Sequence, residues 1–196
     1  MSESRLVVGI SGASGAIYGV RLLEALQKTC IETHLVISRA ASRTIMEETG
    51  RSVEDVRKLA NVCYAASDIG AAIASGSYRT LGMIIVPCSI RSAAEIAYGT
   101  TSTLLTRAAD VTLKERRRLV LLVRESPLHL GHLRMLTMLA EAGAIVAPPM
   151  PAFYAMPRTL DDLIDHTVGR ALDLFDIETS LVRRWTGTTK HPVDEK

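Results

Sequence analysis

Two continuous apolar runs, residues 81–87 and 118–123, most constrain how this chain folds. A strand with no polar alternation has no face to offer water, so it belongs in the middle of a sheet covered on both sides. Shorter strand-like segments open at Arg5, span 33–38 and span 144–147, and stretches with helical spacing separate them. Leu22, Leu23 and Leu26 fall on one side of the first helix, with Arg21, Glu24 and Lys28 on the other. Residues 103–114 repeat the pattern with Leu104, Leu105, Ala108 and Val111. Thr159 and the acidic pair Asp161 and Asp162 open a last long helix, with a predicted buried stripe of Leu160, Leu163, Ile164, Ala171 and Leu174. Strands alternating with helices predict an α/β fold, a parallel sheet with helices on both faces in three layers. Hydrophobic residues make up 47% of the chain and aromatics only 4%, so Leu, Ile, Val and Ala must fill that interior. A length of 196 residues predicts one domain, residues 1–185, followed by a polar tail, 186–196, expected to be disordered.

The balance of charge excludes some partners. A formal net charge of +2 gives no reason to invoke nucleic acid or an acidic membrane. No apolar run reaches the roughly 18 residues of a membrane helix, and no signal peptide opens the chain, so the reading is a cytoplasmic protein without membrane insertion. Cys30, Cys63 and Cys88 form no C-x-x-C pair and read as reduced thiols. His129 and His132 lie three apart but lack a third ligand, so no metal is expected.

The chemistry-bearing residues sit where strands end. The first strand breaks into Gly9, Gly12 and Gly15, with Ser14 beside the start of a helix; such a loop keeps side chains clear and suits an anion. Its G-x-x-G-x-x-G spacing is neither a dinucleotide fingerprint nor a Walker A loop. The second strand delivers Ser38 and then Arg39, where a nicotinamide-binding fold would offer an acid. The run to Pro87 is followed by Cys88, Ser89, Ile90, Arg91 and Ser92, and the next by Arg124 and Glu125. Ser126 and Pro127 predict an N-cap and first helical residue there. Residues 148–154, rich in proline, form an extended loop that presents Phe153 and Tyr154. Residues 51–80 offer a short helix capped by Ser52 and no chemistry. Hydroxyls, glycine-loop amides and an arginine at the carboxyl edge suit a phosphorylated cofactor, and no Ser-His-Asp array competes. Glu125 reads as a general acid/base or as a paired carboxylate. Arg107, Asp110 and Lys114 read as a solvated salt-bridge stripe, and Arg170 as a rim arginine or one reaching inward.

Several longer motifs occur in order: Gly9-Ile-Ser-Gly-Ala-Ser-Gly-Ala16, Pro87-Cys-Ser89, Leu105-Thr-Arg-Ala-Ala-Asp110, Leu113-Lys-Glu-Arg-Arg117, Val123-Arg-Glu-Ser-Pro-Leu-His-Leu-Gly-His-Leu-Arg134 and Pro151-Ala-Phe-Tyr154. Together they resemble the UbiX/Pad flavin prenyltransferases, formerly described as aromatic-acid decarboxylases. The resemblance runs from about residue 5 to Trp185. It implies a flavodoxin-like (Rossmann-like) subunit, commonly a homo-oligomeric dodecamer, that joins a dimethylallyl group from dimethylallyl phosphate to N5 and C6 of reduced FMN. The product, prenylated FMN, serves UbiD-type decarboxylases. Carried over, the family's FMN contacts fall on Gly12, Ala13, Ser14, Ser38, Ser89, Ile90, Arg91, Ser92 and Arg124. Its allylic-phosphate contacts fall on Lys114, Glu125, Tyr154 and Arg170, with Arg107 and Arg124 in the phosphate region and Trp185 in a closing tail. The implied catalytic residues are Glu125, Lys114, Tyr154 and Arg170.

Two departures accompany the resemblance: Ala155 and Met156 stand where the family often has His and then Arg or Gln, and Glu95 stands where a small residue is common. Two rivals share the fold: a flavin-dependent cysteine-type or aromatic-acid decarboxylase, and a non-enzymatic flavin-carrying subunit. The Asn-rich substrate motif of the cysteine-type group is absent from the sequence. Apolar surface on the Ala- and Leu-rich helices at 92–113 predicts oligomerisation.

Overall fold

The computed structural model of the chain describes residues 4–185 and 187. Six strands, β1 (Arg5–Ile10), β2 (Glu32–Ile37), β3 (Val62–Tyr64), β4 (Gly82–Cys88), β5 (Arg118–Val123) and β6 (Ile145–Val146), form one sheet. Their order is β3-β2-β1-β4-β5-β6 and every neighbouring pair is parallel. If the three-residue edge strand β3 is set aside, the other five follow the 2-1-3-4-5 order of flavodoxin-like folds. The helices are α1 (Ala16–Leu26), α2 (Arg39–Thr49), α3 (Val53–Arg57), α4 (Ile90–Ala97), α5 (Leu104–Lys114), α6 (Leu130–Glu141) and α7 (Leu160–Asp173).

Two cores sandwich the sheet. On one face Leu22, Leu23, Ile45, Ile164 and Val168 of α1, α2 and α7 bury against Leu6, Val8, Ile84 and Val86. On the other, Ile96, Leu104, Leu105 and Leu139 of α4, α5 and α6 bury against Val7, Met83, Ile85 and Leu121. Because β4 contributes to both, all seven of its residues are buried. Each large aliphatic side chain so buried stabilises the fold by roughly 1.5 to 3 kcal/mol before entropy is counted.

Local chemistry sets most helix starts. Thr103 and Thr106, and Thr159 and Asp162, close reciprocal capping boxes. Ser38, Ser52 and Ser89 each accept a backbone N–H of the first turn.

Four expectations need correction. Helix α6 begins at Leu130, not at Pro127; its N-cap is His129, whose Nδ1 accepts from Gly131 and His132, while the Ser126–Pro127 peptide is cis. Leu160 is 71% exposed because it occupies the first position of α7, beyond the rim of the sheet. The proline-rich loop is extended except for a single 3₁₀ turn at Phe153–Ala155. Apolar surplus lies elsewhere than at 92–113: Leu104, Leu105, Ala108, Ala109 and Val111 are buried within the subunit, and the exposed apolar side chains include Leu130 and Leu133 of α6 and Met150, Phe153 and Met156 of the loop. Among the described residues no helix is long and apolar enough to cross a membrane. Apart from Gly187, the expected tail at 186–196 lies outside the described residues.

Candidate functional site

Strand order reverses between β1 and β4, and the loops leaving β1, β2, β4 and β5 gather at that carboxyl edge. The buried Ser11 hydroxyl ties two of them together, donating to the Pro87 carbonyl at 2.7 Å and accepting from the Ser89 amide at 2.7 Å. Ser89 in turn accepts from the Ser92 amide at 3.2 Å and its hydroxyl meets that of Ser92 at 3.1 Å. Ser38 stands at the end of β2, capping α2. Arg124 and Glu125 follow β5, both exposed, with the Arg124 amide bonded to the Cys88 carbonyl at 3.0 Å. Ile90 and Arg91 open α4, and the Arg91 side chain turns away to pair with Glu95 at 3.0 Å. Glu95 also accepts from Ser102 and Thr106, so this departure from the family pattern pins the α4–α5 connection.

The glycines of the first loop answer to the protein's own packing. A Cβ on Gly12 would lie 2.4 Å from the Ala40 Cβ, and one on Gly9 would press on Met83 and Ile85 at 3.1 and 3.3 Å. Gly15 has φ +100°, a left-handed backbone that favours glycine. Each glycine is therefore required by the protein's own packing. The N-terminus of α1 is also filled: the Glu48 carboxylate accepts from the Gly15 and Ala16 amides, both at 2.8 Å, and from the Ser14 hydroxyl. Burial works against its charge, yet these three donors and nearby Arg124 outweigh it and hold the carboxyl below its ordinary range. Ser14 thus serves Glu48 instead of capping α1. Glu48 carries no local sequence signal, since it reaches the loop across 33 residues.

Arg124 is the cation that follows β5 at this edge. Among the described residues its guanidinium makes no ion pair, and it stands near Glu48 and Tyr18. A cation without an ion pair, on the same carboxyl edge as the hydroxyls of Ser38, Ser89 and Ser92 at the switch point of a parallel sheet, fits a phosphate-bearing cofactor such as FMN. Cys88 does not take part: it is fully buried, and burial pushes its thiol up to about 12.

A second group lies around α7. Tyr154 Oη is 3.1 Å from Nε2 of the buried His166, with the rings edge to face at 5.5 Å, and Trp185 meets Tyr154 edge to face at 6.0 Å. Arg170, half exposed, pairs with Asp173 at 2.8 Å, and Arg184 of the tail reaches the same carboxylate at 2.9 Å. Arg183 reaches the Ala155 carbonyl, so the tail is fastened to both α7 and the loop. The departing residues Ala155 and Met156 sit in the 3₁₀ turn and its end, with Met156 at φ 52° and 72% exposed.

The third group is the outer face of α5. Arg107 pairs with Asp110 at 2.7 Å, as a solvated stripe would, but Lys114 turns to Glu115. Lys114 closes α5 just before β5 begins, beside Gly76, so it lies at the amino edge of the sheet. Arg124 lies at the other edge, beyond the six residues of β5, a span of roughly 20 Å. One subunit therefore does not bring Lys114 to Arg124 and Glu125.

His129 and His132 stack at 3.6 Å, but among the described residues no group of three His, Cys, Asp or Glu side chains is placed to hold a metal.

The chain matches the flavoprotein family model over residues 1–177. It is 59% identical over 186 residues to the flavin prenyltransferase UbiX of Escherichia coli strain K12, covering 93% of this chain and 98% of the relative. Among solved structures it superposes on AnUbiX (PadA1) in complex with FMN and dimethylallyl pyrophosphate with a TM-score of 0.93, at 47% identity, covering 95% of this chain and 99% of that one. It superposes on the dodecameric FMN-dependent UbiX-like decarboxylase of Escherichia coli O157:H7 with a TM-score of 0.91, at 48% identity, covering 93% and 100%.

Proposed function

The chain belongs to the UbiX flavin prenyltransferases of the flavoprotein family, and from that premise we propose that it transfers the five-carbon group of dimethylallyl phosphate to reduced FMN. The observation that carries this reading is Arg124, without an ion pair among the described residues, on the same carboxyl edge as Ser38, Ser89 and Ser92 at the switch point, in a chain 47% identical to a protein crystallised with FMN and an allylic diphosphate. When bound and reduced, FMN supplies the nucleophilic nitrogen and the ring carbon that receive the prenyl group.

The chain's own residues do the rest. Ser38, Ser89, Ser92 and Arg124, with the backbone of Gly12, Ala13, Ser14, Ile90 and Arg91, hold the cofactor at the carboxyl edge. Tyr154 and Arg170 present a donor and a cation to the leaving phosphate; donors fixed in advance, where charge grows in the transition state, lower the barrier most. The faces of Tyr154 and Trp185 favour positive charge developing on the allylic carbon. Glu125, exposed beside the cofactor's edge, takes the proton released when the second bond closes.

Lys114 belongs to this site only if a neighbouring copy supplies it, because within one subunit it is at the wrong edge of the sheet, and Arg107 is assigned to the phosphate region with it. We therefore assign the active form to a homo-oligomer, a dodecamer by analogy with the relative of that assembly. Residues 1–185 act as the catalytic unit in the cytoplasm and pass prenylated FMN to a decarboxylase of the UbiD type.

Anaerobic incubation with reduced FMN and dimethylallyl phosphate should yield a flavin heavier by one prenyl unit, detected by mass spectrometry. An unchanged flavin mass, with FMN still bound, would return the chain to the role of a flavin carrier. Release of carbon dioxide from an aromatic or cysteinyl acid by the isolated protein would favour the decarboxylase reading instead.

A further inference from the structure

Tyr154 is half exposed on a proline-rich loop, and a loop with few anchors does not fix a phenol well enough for catalysis. The loop's own bonds near it are two backbone contacts of the 3₁₀ turn, Ala155 to Ala152 at 3.1 Å and Met156 to Phe153 at 2.9 Å. The side-chain anchor comes from α7. His166 is 7% exposed, stands one helical turn before Arg170, and places Nε2 3.1 Å from Tyr154 Oη. Trp185 also meets the phenol ring edge to face. His166 and Arg170 also line one cavity of about 210 Å³, with Leu122, Ala147 and Met150.

We propose that His166 is a positioning residue for Tyr154: its Nε2–H donates to the phenol oxygen and leaves the phenol proton free to point at an oxygen of the allylic phosphate. This rests on the reading of Tyr154 as a phosphate contact. The logic is one of donors. In one neutral tautomer the imidazole consumes the phenol proton, and Tyr154 then presents only lone pairs to an anion. In the other, the imidazole supplies a proton to Oη, and the phenol keeps its own for the phosphate. An arriving phosphate, which needs donors, selects the second. Burial, followed by the nearby Arg170 charge and against the pull of Asp173, holds His166 below its ordinary range, so it is a neutral ring that can choose its tautomer. The other charged groups around it are Asp162 and Asp165 of α7 itself, and Arg158 and Arg183, which line with His166 a second cavity of about 410 Å³. Arg170, on the same face one turn on, is carried by the same rigid element, so α7 sets both phosphate contacts at once.

The test is steady-state prenyl transfer by the full-length, FMN-loaded protein with dimethylallyl phosphate, comparing wild type, His166→Leu, His166→Gln, Tyr154→Phe and the Tyr154→Phe/His166→Leu pair. Loss of one hydrogen bond should raise KM for dimethylallyl phosphate about tenfold in His166→Leu, with a smaller change in kcat. His166→Gln, whose amide N–H can still donate to Oη, should restore most of it. In the Tyr154→Phe background, His166→Leu should add nothing, because the oxygen it serves is gone. A KM within about twofold of wild type in His166→Leu overturns the proposal, as do effects of the two changes that simply multiply, or no rescue by Gln in a protein with unchanged Tm. If wild type itself forms no prenylated flavin, the proposed function fails and this inference with it; an active wild type matched by His166→Leu sinks this inference alone.

Discussion

The carboxyl-edge loops and the α7 group are built on opposite plans. The loops consist of small residues and backbone, cross-linked by Ser11, Ser89, Ser92 and Glu48, and every glycine in the first loop is fixed by its own neighbours. The α7 group consists of long side chains, Tyr154, Arg170, Arg184 and Trp185, half exposed and held by one buried histidine and one shared carboxylate. The difference separates two tasks. A planar flavin that must be held still while bonds form to two of its atoms needs a rigid cradle, whereas a small substrate that enters and loses its phosphate needs donors on a segment that can give way.

The sharpest way to break this contrast is to delete one arginine from each region. Arg170→Ala should lower prenyl transfer by roughly 100-fold, the scale of losing a donor to transition-state charge, while FMN binding stays as in wild type. Arg124→Ala should instead weaken FMN binding by about 2 kcal/mol, the scale of a charge-assisted hydrogen bond, as read by flavin fluorescence titration. If both variants lose FMN equally, the two regions are one site with one plan.

A smaller effect probes the rigid cradle. Gly12→Ala puts a Cβ 2.4 Å from that of Ala40, so α2 must shift; the cost should be roughly 1 to 3 kcal/mol in denaturant unfolding, with or without FMN. Were the glycine kept for the ligand, apo stability would be untouched and only FMN affinity would fall.

The smallest effect concerns Glu48. Glu48→Gln should cost about 1 kcal/mol at neutral pH, the scale of a helix cap. A carboxyl held below its ordinary range stabilises the fold above its unfolded pKa and loses that contribution as pH falls through the folded one. The gap between wild type and Glu48→Gln in Tm should therefore shrink once the pH drops below the ordinary glutamate pKa of about 4.3. A gap constant down to pH 3 would show that the carboxylate charge plays no part.

Much of this is legible in the sequence alone. The runs at 81–87 and 118–123 have no polar alternation because β4 and β5 are covered on both faces, so pattern alone places them in the middle of the sheet. Capping by Ser52 and Thr159 is equally local, since donor and acceptor lie within three residues. β3 escaped notice because a three-residue edge strand, partly exposed, needs no apolar run. Ser126 misled because a Ser-Pro pair has the form of a helix start, while three residues later His129 provides the cap.

The sequence by itself determined the order of elements, the strand ends that carry Ser38, Ser89, Arg124 and Glu125, and the family, since each of these is written in contiguous residues. Only the tertiary structure decided that Gly12 serves Ala40, that Glu48 fills the N-terminus of α1, that His166 holds Tyr154, and that Lys114 lies at the far edge from Arg124. These four are contacts or separations set by the packing of helices on the sheet, between residues with no common local period, and no stretch of chain read alone contains them.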